Sequence, residues 1–220
     1  LDGSGPAAWQ VPIVTRSGSI YLFYVYNQVP RAGGFGGNLR CRVSRDHGVT
    51  WSPPADLVFP RGPFDSGDSS VLPIWVSISV PIRDTANRPL LSYTRWASTA
   101  DVPGGRGVGI KQRHSHIEIV RIENIEDDPD PTDVKLTPLL LDTPITAPHE
   151  EIADASFAQE PYIVRLPDDR LFMVLRTNRG EAWYTISDDD GESWRKAAPM
   201  RFNDGGAVLQ QCVSPCPIYH

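Results

Sequence analysis

The chain is 220 residues long and acidic, with Lys and Arg 21 against Asp and Glu 27 for a net charge of −6. Hydrophobic residues make up 40%, which excludes a disordered tail, and the charge balance without any basic tract excludes nucleic acid as a partner. Gly 18 and Pro 21 are too many for long helices, and apolar runs such as 20–26 and 171–175 are too short to span a bilayer as helices.

Three stretches follow one plan: a Pro, a short apolar strand, a polar turn and a second apolar strand. The first runs through Pro12, Ile13 and Val14, a turn at 15–19 and a strand at 20–26. The second has Pro81 and Ile82, a turn at 83–88 and a strand at 90–93; the third has Pro161 to Val164, a turn at 166–170 and a strand at 171–175. A fourth begins at Pro215 and runs through Tyr219 to His220. Starts at 12, 81, 161 and 215 are spaced as expected for four-stranded propeller blades with long connecting loops, so the fold expected is an all-β propeller. Residues 33–37 and 104–109 are Gly-rich loops. The acidic run 126–133 lacks the Gly and closing Glu of a calcium loop and reads as solvated loop; 147–157 is the one helix-like phrase.

A shorter repeat is sharper. Ser44, Asp46, Gly48, Thr50 and Trp51 recur as Ser187, Asp189, Gly191, Ser193 and Trp194, both fitting Ser-x-Asp-x-Gly-x-[Ser/Thr]-Trp. The pattern suits a tight hairpin in which Asp bonds turn amides, Gly takes positive φ and Trp plugs the gap between strands. These are structural residues, and His47 within the first copy reads as a solvent-facing turn residue.

In an up-and-down blade the start of strand one and the end of strand two emerge on the same face. That rule places Trp9, Gln10 and Asn27 there from the first blade. The second adds Arg95 and Trp96, and the third Gln159, Glu160, Arg176 and Arg179. The hairpins of the shorter repeat fall on the opposite face. One face therefore gathers Arg, Glu, Gln and Trp, the residue types that bind carboxylates and stack on sugars.

The Ser-x-Asp-x-Gly-x-[Ser/Thr]-Trp repeat resembles the Asp-box, or BNR repeat, of the sialidase superfamily. The stretch Gln159, Glu160, Pro161, then Leu166 to Leu171, then Leu175, Arg176 and Thr177 before the second copy is similar to one sialidase blade. The resemblance implies a six-bladed ring of which residues 1–220 form a partial sialidase-like propeller domain of three to four blades. The remaining blades would come from the rest of a longer chain or from a partner segment. It also implies an exo-acting glycoside hydrolase on an acidic terminal sugar, without cofactor, and favours a secreted or periplasmic setting. Glu160 then matches the Glu that polarises a tyrosine nucleophile, and Arg176 matches one of three carboxylate-clamping arginines. Arg95, Gln10, Gln159, Trp96 and Arg179 would shape the substrate pocket. Gln10 stands where a clamp Arg is expected, the loop 29–38 holds no Asp or Glu for the acid/base, and the third Arg and the Tyr would lie beyond His220.

Two other readings remain open. In a uronate-directed polysaccharide lyase, Arg would neutralise the uronate while His114, His116 or Tyr26 handles the proton. A glycan-binding propeller without catalysis is the third. No metal site is expected: His114 and His116 lack further ligands nearby, and Cys212 and Cys216 lack a partner cluster. The cysteines read as buried or free thiols, with a single bridge involving Cys41 left open.

Overall fold

A computed structural model describes residues 7–31, 34–76, 79–105 and 110–218, with 27–31, 34–36, 75–76 and 110 described by backbone alone. The chain forms three successive antiparallel sheets of four strands each, the blades of a β-propeller. The first comprises β1 (Ala7–Val14), β2 (Ile20–Arg31), β3 (Gly34–Ser44) and β4 (Ala55–Leu57). The second has β5 (Ile74–Val76) and β6 (Ile82–Arg83) sharing one strand position, then β7 (Pro89–Trp96), β8 (Ser115–Ile122) and β9 (Leu136–Pro138). The third is β10 (Gln159–Arg165), β11 (Leu171–Arg176), β12 (Trp183–Ser187) and β13 (Ala198–Pro199). One backbone pair, Gly36 with Ile74, joins the first sheet to the second.

Period-two alternation decides which side each strand buries. Val11, Ile13, Tyr21, Phe23, Val25, Leu39, Cys41 and Val43 face the second sheet and meet Leu91, Tyr93, Val120 and Ile122. The opposite side of the second sheet sends Leu90, Ile117 and Ile119 against Leu171, Met173, Leu175 and Trp183 of the third. The middle sheet is thus covered on both sides, and all of β7 is buried.

Four sequence expectations change. The inner strand of the second blade starts at Ile74 rather than Pro81: β5 pairs with the far end of β7 (Ile74 opposite Trp96) and β6 with its near end (Ile82 opposite Leu90). Residues 147–157 are not helical. Pro148 bridges Ser156, and the His149 ring accepts the amides of Glu151 at 3.0 Å and Ile152 at 3.2 Å, which bends the segment into a turn. The acidic run is no free loop. It makes two single-turn 3-10 helices, buries Ile125 in the first core, and accepts the Tyr21 hydroxyl at the Pro129 carbonyl at 2.6 Å. Residues 215–218 form no strand, and 219–220 lie outside the described residues. Cys41 is fully buried and all three cysteines are free thiols, so the bridge left open at Cys41 is not formed. No helix among the described residues is long and apolar enough to cross a membrane.

The two eight-residue repeats make the same turn. Ser44 Oγ and Ser187 Oγ each accept the amide of the repeat Gly at 2.8 Å. Asp46 and Asp189 each accept the amide of Thr50 or Ser193 at 2.8 Å, and Trp51 and Trp194 each donate their indole N–H to the Gly carbonyl at 3.2 Å. Hydrogen bonds from Thr50 hold the Asp46 carboxyl down at about 2. His47 is exposed with φ +59°, as a turn residue should be. This end of the blades is also where ion pairs join neighbours. Arg45 reaches Asp130 and Arg121 reaches Glu192, and Asp190, paired with Arg165 of its own blade at 2.6 Å, accepts the Thr85 amide of the second blade at 2.6 Å.

Candidate functional site

At the opposite end of the blades, β10 and β11 bring Glu160 and Arg176 together. Gln159 pairs with Arg176 across the two strands, and an irregular register follows between Gln159 and Tyr162. Glu160 occupies that irregularity with φ +48°, a conformation that costs a non-glycine residue about 1–3 kcal/mol. The bulge turns its carboxylate back along the sheet, where Arg176 Nη1 donates to Oε2 at 3.0 Å. Both side chains remain partly open to solvent, at 19% and 18%.

The first blade repeats this device. β1 breaks register between Ala8 and Val11, and Trp9 takes φ +52°. Trp9 is therefore the counterpart of Glu160. Gln10, which stands where a clamp Arg is expected, is exposed and donates back to the Ala7 carbonyl at 3.4 Å. The side chain of Asn27 lies outside the described residues, as do residues 33 and 106–109 of the Gly-rich loops.

Between the two bulges stands the end of β7. Arg95 is opposite His116, and Tyr93 opposite Glu118, so these four side chains share the side facing the first blade. Arg95 is only 1% exposed and lies beneath the face: Nη1 reaches Glu118 at 3.2 Å and Nη2 bonds Asp65, from the loop before β5. Glu118 also accepts from the Tyr93 hydroxyl at 2.7 Å and meets His116 Nε2 at 2.9 Å. Burial works against the Glu118 charge, but His116 and Arg95 outweigh it and hold the carboxyl below its usual range. Phe64 stacks on His114 and lies tilted against His116, with ring centroids at 4.6 and 4.5 Å. Burial, reinforced by His116 and His149, depresses His114 to about 4, so it is neutral at pH 7.

The other side of the β7–β8 pair faces the third blade. Thr94 accepts the Glu160 amide at 2.7 Å, and Ser115 accepts from the Gln159 side chain at 3.1 Å. Trp96 packs with Ile74 and Trp9, and the Arg113 guanidinium lies 5.2 Å from its ring centroid. Arg179 sits at the rim beside Glu181, at 3.8 Å. Tyr26 is buried under the Arg40 guanidinium, 3.5 Å from its ring centroid. Glu160, Arg176, Gln159, Arg95 and Trp96 thus converge around one strand end. Gln10 is turned out of this group, and Arg179 marks its edge.

Several buried polar atoms at this end bond to nothing among the described residues: Trp96 Nε1, His114 Nε2, His116 Nδ1 and Arg176 Nε. Buried groups are nearly always satisfied, so a cluster of orphans marks a place that expects a ligand or ordered water. With Nδ1 of His114 accepting the Ser156 amide at 3.2 Å, its Nε2 carries the proton. Three of the four are then donors, which suits an oxygen-rich ligand. No cluster of His, Cys, Asp or Glu among the described residues can hold a metal ion. Sequence reasoning missed Asp65, Phe64, Thr94, Glu118 and Ser115. The period-two spacing of His114, His116 and Glu118 was the available signal for Glu118; Asp65 had none.

No protein-family model matches the sequence, and no curated protein matches it. Solved structures do match the fold. A Hadza microbial sialidase superimposes with TM-score 0.55 at 15% identity over 88% of this chain and 34% of that protein. A thermostable family-43 glycoside hydrolase gives TM-score 0.55 at 14% identity, over 93% and 56%. Fructan 1-exohydrolase IIa from Cichorium intybus gives TM-score 0.53 at 20% identity, over 87% and 32%. The chain has the blade architecture of these propellers and spans between 32% and 56% of their lengths.

Proposed function

We propose that this chain is part of a carbohydrate-active enzyme of the sialidase superfamily, an exo-acting glycoside hydrolase that takes an acidic terminal sugar. The observation that carries the reading is the Glu160–Arg176 pair, 3.0 Å apart on adjacent strands beside a cluster of unsatisfied buried donors. Arg176 uses Nη1 on Glu160 and keeps its Nε–H for an anionic oxygen of the substrate. Glu160, fixed by that guanidinium, orients or deprotonates the nucleophile or a water. Gln159 and Trp96 shape the sugar site, Arg179 lines its rim, and Arg95 supports it from below. The matching hydrogen bonds in the two Ser-x-Asp-x-Gly-x-[Ser/Thr]-Trp turns support reading them as Asp-boxes. The domain is partial on this reading, and further blades, from the same chain or a partner segment, supply the acid/base and the tyrosine. In the protein completed by those blades, Arg176→Ala is expected to abolish turnover of an aryl sialoside while circular dichroism stays unchanged. Unchanged turnover would remove Arg176 from the mechanism.

The ring nitrogens of His114 and His116 that bond to nothing among the described residues favour a second reading, a uronate-directed lyase. Such an enzyme leaves an unsaturated sugar that absorbs in the ultraviolet; a hydrolase leaves none.

A further inference from the structure

The strained backbone at Glu160 needs a cause outside its own strand. Its φ of +48° lies in the left-handed region, and it precedes Pro161, whose ring further narrows the conformations open to the preceding residue. Such a conformation persists only where its surroundings over-determine it. Within the bulge the ladder register is broken from Gln159 to Tyr162. The Glu160 amide turns instead to the neighbouring blade and donates to Thr94 Oγ1 at 2.7 Å. Thr94 is fully buried in the middle of β7, held between Val76 and Ile117 by the ladder, so this acceptor does not move. Gln159 is anchored the same way on Ser115 at 3.1 Å. The blade contact therefore sets the bulge, and the bulge sets where the carboxylate meets Arg176.

We propose that Thr94 is a positioning residue for Glu160: its hydroxyl oxygen fixes the left-handed Glu160 backbone and thereby aims the carboxylate at Arg176. The inference rests on the reading that Glu160 and Arg176 work together, but its first readout does not require any activity. Thr94→Val keeps the shape and removes the acceptor; Thr94→Ser keeps the acceptor. Residue-resolved amide hydrogen exchange on the full chain should show Glu160 exchanging about tenfold faster in Thr94→Val and near the parental rate in Thr94→Ser. The Met173 amide, inside the same blade, reports that the fold is intact. On an aryl sialoside, in the protein that carries the remaining blades, Thr94→Val should lower kcat about tenfold with KM near the parental value, and Thr94→Ser should restore it. Parental Glu160 exchange in Thr94→Val, with Met173 protected, would overturn the proposal. Faster exchange in a protein that carries the remaining blades and yet turns over no sialoside would leave the positioning role standing and remove the hydrolase reading instead.

Discussion

The two ends of the blades are built on opposite terms. At the turn end, Ser187, Asp189, Gly191, Ser193 and Trp194 satisfy one another within eight residues, and the pairs Arg45–Asp130 and Arg121–Glu192 tie blade to blade. At the other end a bulge, a buried ion network and four polar atoms without a partner among the described residues lie around the end of β7. A chain that needed only stability would have no use for the second arrangement. On the proposed function, its strain and its unsatisfied donors among the described residues serve a ligand, and the turn end holds the frame that tolerates them.

That contrast is broken most severely at Arg95. Arg95→Met removes the guanidinium shared by the buried Asp65 and Glu118 carboxylates, and a chemical-denaturation curve should show a loss of about 3–5 kcal/mol. At the turn end the largest single loss should come from Ser187→Ala, which removes the acceptor of the Gly191 amide and the donor to Asp189. About 1–2 kcal/mol is expected from the same measurement. Glu192→Ala removes a pair to Arg121 whose carboxylate is 54% exposed, and it should shift stability by no more than about 0.5 kcal/mol.

Acid separates the two ends more gently. The folded Asp46 carboxyl sits at about 2 against an ordinary 3.8, so its contribution is full above 3.8 and is lost as pH falls toward 2. The Thr50 amide, followed by NMR, should lose its protection in that window. His114 titrates in the other sense: its neutral ring should persist down to about pH 4, while the unfolded ring takes its proton near 6.5. The imidazole carbon shifts of His114 check this directly.

What was legible in the sequence followed the same division. The turns could be read because every bond in them lies within eight residues, and the strands because alternation declares their buried side. The placement of Glu160 against Arg176 was also legible, since a hairpin joins the two strands. The bulges were not. They make Trp9, three residues before Pro12, the counterpart of Glu160, one residue before Pro161, because the extra residue sits at a different distance from the proline in each blade. The burial of Arg95 was equally hidden, since Asp65 lies 30 residues away and Glu118 lies 23 away, on partners that only the packed sheets bring together. The acidic run misled for a related reason: its charges suggest solvent, but Ile125 and the Pro129 carbonyl fix it to the first blade.

The indole N–H groups give the most direct test of the contrast. Trp51 and Trp194 each donate to a turn carbonyl, whereas Trp96 Nε1 is buried and unpartnered among the described residues. In a titration with free sialic acid followed by nitrogen–proton correlation spectra, the Trp96 indole resonance should move in a saturable way, while those of Trp51 and Trp194 stay fixed. A Trp96 resonance that does not move, or larger movements at Trp51 and Trp194, would contradict the account.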